Sequence, residues 1–132
     1  MIRTAALLAL CAAARAATTA DAAAPALAVR ASAVVLPAKP AVAPGSRNVA
    51  GVYRIGVGVY CVQTAPTVDW TTATPYVAPL PARSAHGGGT LLASFEATGQ
   101  GCPAAAIPVR TFRVRGAAVR PANDVAFALV VG

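Results

Sequence analysis

Four arginines crowd the last quarter of the chain: Arg110, Arg113, Arg115 and Arg120. A guanidinium carries a fixed positive charge and a planar fork of donors, which suits carboxylate, sulfate or phosphate groups. Arg113 and Arg115 are two residues apart, so an extended strand puts them on one face. Arg54 lies in another alternating segment and can stand on a neighbouring strand. These five are candidate anion-binding residues, and the ligand they suit is an anionic glycan or a lipid headgroup at a membrane surface. The favoured reading is plainer: a solvated outer strand face whose charges discourage edge-to-edge pairing. Nucleic acid is the least favoured ligand, because export would separate the two and no aromatic stacking platform accompanies the arginines. Trp70 and Tyr76 could hold a sugar ring, but a half-buried tryptophan in a small core is the ordinary reading.

His86 is the one histidine, and it opens the run His86-Gly87-Gly88-Gly89. The letters match a segment that supplies oxyanion-hole amides in some esterases, beside a serine on a strained strand-to-helix elbow. This chain has no Gly-x-Ser-x-Gly and is too short for that fold. A Ser84 or Ser94, His86, Asp69 or Asp124 set can be written, but no spacing supports it. A flexible glycine loop with an exposed histidine is favoured, and a small hydrolase using His86 ranks last. The carboxylates Asp69, Glu96 and Asp124 are isolated in sequence, so paired acid–base chemistry is not indicated. No glycine-rich run leads into Lys-Ser or Lys-Thr, and no C-x-x-C spacing exists, so neither a phosphate loop nor a zinc or redox site is expected. The expectation is a non-enzymatic chain without metal or cofactor.

The 132 residues suffice for one small domain. The apolar share of 57% is inflated by alanine in the first 45 residues and does not imply a large core. Residues 1–20 read as an export signal. Met1-Ile2-Arg3 is the positive start, Thr4 to Ala14 the apolar run, and Ala14-Arg15-Ala16 or Thr18-Thr19-Ala20 the small residues before cleavage. The run is shorter than the roughly 20 residues a spanning helix needs. Leu10 directly before Cys11 disfavours lipid attachment there. An organelle transit peptide is the other reading of this arginine-bearing, acid-poor start, and Asp21 weakens it. Residues 21–45, with Pro25, Pro37, Pro40 and Pro44, read as a semi-rigid tether with little core, in which Ala33 to Leu36 could add an edge strand.

Once the signal is removed, Cys61 and Cys102 remain, and an even pair in an exported chain points to a disulfide. Closing a loop of about 40 residues would restrict the unfolded chain by about 4 kcal/mol. The alternative is two unpaired buried thiols in a reducing compartment.

What must position these groups is a set of short strands over residues 46–132. Val52 to Val62 alternates, with Tyr53, Ile55, Val57, Val59 and Cys61 on one side, and two glycines and several β-branched residues oppose a helix. It reads as the central strand, with Cys61 at its end. Trp70 to Tyr76 reads as a short edge strand. Thr90 to Ala97, Ile107 to Arg115 and Val125 to Val131 alternate as well, and Gly116-Ala117 ends the third of these. In Ile107 to Arg115, Phe112 and Val114 oppose Thr111, Arg113 and Arg115. Short strands at roughly ten-residue spacing between Gly/Pro turns predict an all-β fold, a small antiparallel sandwich or open barrel. A random reading frame in GC-rich DNA would match the composition but has no reason to alternate.

Gly51-Val52-Tyr53-Arg54-Ile55, then Cys61, then Val109-Arg110-Thr111 and Asp124 to Val131 together resemble a pattern of small exported bacterial β-module proteins. There a G-x-Y strand opens the module, a V-x-T strand precedes a glycine turn and a D-x-x-F-x-L-x-V strand ends it. The resemblance implies a β module of unknown function, sometimes attached to surface or fibre proteins, and carries over no catalytic residue. The function expected is a secreted, periplasmic or cell-surface structural or interaction module with a protein or surface partner. The alternative is a binding module whose arginine row meets an anionic glycan or membrane surface.

Overall fold

The structure, a computed structural model, describes residues 28–98 and 101–132. The expected export signal, Cys11 and the first part of the expected tether lie outside the described residues, as do residues 99 and 100. Among the described residues nine strands follow one another: β1 (Ala31–Leu36), β2 (Ala41–Val42), β3 (Val49–Gly56), β4 (Val59–Thr64), β5 (Tyr76–Pro79), β6 (Thr90–Phe95), β7 (Ala106–Arg115), β8 (Ala118–Pro121) and β9 (Phe127–Val131). One 3-10 turn spans Pro81–Arg83, and there is no α-helix among the described residues. Strands β2-β1-β9-β5 form one sheet and β3-β4-β7-β6 the other, with β8 also on β7. Every pairing is antiparallel. The molecule is all-β, two antiparallel sheets packed face to face.

Alternation explains the packing. Ala31, Ala33 and Val35 of β1 and Phe127, Leu129 and Val131 of β9 are buried, each inward residue opposite another across the ladder. They meet Tyr60 and Val62 of β4 and Ile107 and Val109 of β7 from the other sheet. The Tyr60 and Phe127 rings touch edge to face with centroids 5.4 Å apart. Trp70 is half-buried at the rim, edge-on to Phe95 at 5.9 Å, and its indole N–H donates to the Ala105 carbonyl.

Several expectations are corrected. Val52 to Val62 is not one strand but the β3–β4 hairpin, turning at Val57-Gly58. Tyr53 pairs with Cys61. A two-residue loop by itself inverts parity, but the register shift between Arg54 and Gly56 offsets the inversion, so odd residues keep one face through the turn and the same alternation describes a strand and a hairpin. Cys61 therefore sits inside β4 and not at an end. Residues 31–43 are not a tether: β1 lies between β2 and β9, and the folded part reaches back to Ala31. Pro37 and Pro40 bracket the turn after β1 instead of breaking it. Trp70 to Pro75 forms turns, and the strand there is β5. Gly116-Ala117 does not end the pairing but turns it into β8, with Arg115 opposite Ala118 and Gly116 at φ 56°. The last strand starts at Phe127, although Val125 and Ala126 are also buried.

Candidate functional site

Strand β7 has ten residues and changes surroundings half-way. Its first inward residues, Ile107 and Val109, belong to the core. Thr111, Arg113 and Arg115 continue the same face. There the opposing layer is no strand but two chain segments, residues 84–89 and 122–124. The Thr111 hydroxyl donates to the Ala122 carbonyl at 2.6 Å. Asn123 receives the Gly58 N–H on its side-chain oxygen (2.7 Å) and the Tyr60 hydroxyl on its carbonyl (3.2 Å). The second segment is thereby fixed from both the β3–β4 turn and the core.

Arg113 is buried, at 8% exposure. Its Nη1 donates to the Gly88 carbonyl (2.6 Å), and its Nη2 donates to the Ala85 carbonyl (3.0 Å) and pairs with Asp124 Oδ2 (3.1 Å). A buried charge needs such partners, because leaving water is costly without them. Arg115 donates to the Gly87 carbonyl. The glycine run is thus laid against two arginines. A side chain at Gly87 would crowd the Arg113 guanidinium, and one at Gly89, φ 76°, would strike the Val114 carbonyl. The loop is held by its backbone, which explains the glycines without an oxyanion site.

The arginine face is therefore inverted relative to the sequence reading: Arg113 and Arg115 lie on the inner face of their sheet, and Phe112 and Val114 on the outer. Arg120 of β8 stands directly opposite Arg113 across the ladder. Arg113, Arg115 and Arg120, with Val57, Asn123 and Asp124, line an open groove of about 610 Å³. The other two candidates are elsewhere. Arg110 lies over the Phe112 ring at 4.8 Å on the outer face. Arg54 is not beside β7, because β4 intervenes. It donates to the Pro37 carbonyl (3.3 Å) and, with Arg83, lines a second groove of about 580 Å³. Asn123 and Asp124 line both grooves. Sequence reading missed Arg83 and Asn123, which lie outside any alternating run. The Asn-Asp pair after Pro121 was their nearest signal, a turn composition.

The hydrolase residues are dispersed in role. His86 is exposed. The Ser84 hydroxyl donates to the Leu80 carbonyl and accepts the Ala126 N–H, both at 2.8 Å, tying the loop to the last strand's approach. Asp124 faces Arg113. Asp69 accepts the Thr71 hydroxyl and backbone N–H, which hold its carboxyl below the ordinary aspartate range. No group of three or more His, Cys, Asp or Glu residues is placed to hold a metal among the described residues.

Cys61 and Cys102 lie at disulfide distance, their Cα atoms 5.5 Å apart. No helix among the described residues is long and apolar enough to cross a membrane. Set against known protein families, curated proteins and solved structures, the chain matches none.

Proposed function

We propose that the protein is a non-enzymatic interaction module of an extracytoplasmic compartment and that it binds an anionic group in the groove beneath β7 and β8. One observation carries the reading. Arg113 and Arg120 are directly opposed across the ladder, with Arg115 on the same face, and the one carboxylate of that lining, Asp124, pairs with Arg113. Like charges facing each other across strands repel, and an anion seated between them removes that repulsion. Arg113 is buried with three partners, whereas Arg115 is exposed and gives one bond to the Gly87 carbonyl, so Arg115 and Arg120 are the ligand-facing pair. The disulfide-distance pair fits an oxidising compartment, and the export-signal reading of residues 1–20 points the same way.

Retention on immobilised heparin along a salt gradient tests this. The wild-type chain is expected to elute late and salt-dependently, and Arg115→Ala plus Arg120→Ala to elute early. Equal elution of the two proteins would leave a structural module without an anionic ligand.

A further inference from the structure

The two arginine-bearing grooves are neighbours, not separate features. Asn123 and Asp124 form a wall common to both, with Arg115 and Arg120 on one side and Arg54 and Arg83 on the other. The wall is rigid, since Asn123 is tied to Gly58 and Tyr60, and Asp124 to Arg113 by its side chain and to the Ala85 N–H by its carbonyl (3.0 Å). Asp124 is the one acid in either lining, and its Oδ2 pairs with Arg113.

We infer that the ligand is a linear polyanionic glycan, with carboxylate or sulfate groups along its chain, that straddles this wall. One anionic group meets Arg115 and Arg120, and another meets Arg54 and Arg83. This rests on the anion-binding reading above. Neither lining contains an aromatic side chain, so the grooves lack the stacking surfaces by which nucleic acid bases are held. Both are recesses, which a flexible chain can enter, whereas a plane of lipid headgroups meets a protein along its outermost atoms. Two sites joined through one ligand raise the effective concentration at the second, so affinity grows with chain length without any new kind of contact.

Calorimetry of the full chain with heparin-derived oligosaccharides of defined length, at one ionic strength, tests the inference. Affinity is expected to rise about a hundredfold from disaccharide to dodecasaccharide. Arg54→Ala plus Arg83→Ala should abolish that rise and leave disaccharide binding as in wild type. Arg83→Glu alone, at an exposed position, serves as the second variant and should do the same without disturbing the Arg54 hydrogen bond. Disaccharide binding that does not strengthen with length would overturn the straddling ligand and leave the first groove standing. Failure of the disaccharide itself to bind would remove the anion-binding reading beneath it. Polyglutamate, or vesicles rich in anionic phospholipid, binding as tightly as the dodecasaccharide would overturn the glycan.

Discussion

Arg113 and Arg115 differ by one turn of the pleat and by their work. Arg113 is buried and holds two carbonyls and a carboxylate, whereas Arg115 holds the Gly87 carbonyl and is exposed in the groove. Arg113→Ala is therefore expected to lower stability by about 2–3 kcal/mol, since hydrogen bonds from a charged group are lost and the partner carbonyls are left unpaired. Urea unfolding measures this, and the variant should bind heparin weakly only to the extent that it unfolds. Arg120→Ala should leave the urea midpoint unchanged. Gly58 is a second single-residue determinant. Its φ of 66° suits glycine, and a Cβ there would strike the Thr111 carbonyl, where β7 passes from β4 to β8. Gly58→Ala should cost about 3 kcal/mol from left-handed strain and overlap together. A urea midpoint equal to wild type would contradict the close approach.

At the scale of elements, β1 decides whether the first sheet exists. It lies between β2 and β9, and its inward Ala31, Ala33 and Val35 cover Val131, Leu129 and Phe127. A chain beginning at Ser46 would lose β1 and β2, exposing one edge and half the inner surface of that sheet. It is expected to show no cooperative thermal transition and little near-ultraviolet dichroism. A sharp transition like that of the full chain would restore the tether reading. The strand was hard to read because alanine and serine alternate too weakly against a proline-rich background. The hairpin at Val57-Gly58 was hard to read because the register shift between Arg54 and Gly56 keeps the alternation in phase through the turn, and the one at Gly116-Ala117 because the four residues of β8 are all exposed and show no alternation. Thr90–Phe95 and Phe127–Val131 were legible, since large apolar residues mark one parity in each.

For the molecule as a whole, Cys61 and Cys102, at disulfide distance, are placed to link β4 to the segment leading into β7 across a sequence separation of 41. In the chain-entropy account such a link stabilises by about 4 kcal/mol. Reduction is thus expected to lower the melting temperature by roughly 20 °C, given the usual entropy of unfolding for a domain of this size. Calorimetry with and without reductant checks it, and an unchanged melting temperature would show that the link contributes nothing. Arginines from β3, the 3-10 turn, β7 and β8 gather at one end of the sandwich, where the second sheet runs beyond the strands of the first.

Period-two patterning and turn residues determined from sequence alone that residues beyond about 46 form an antiparallel β domain, because burial of one face imposes alternation whatever the strand order. Cysteine parity determined which sulfurs could meet. Which face of β7 points inward was not determined, since alternation defines two faces without naming them. That depends on where the opposing sheet stops, as does the pairing of Arg113 with Asp124. Only the tertiary structure brought Arg83 and Asn123 to the arginines, because contacts between distant loops leave no periodic trace in the chain.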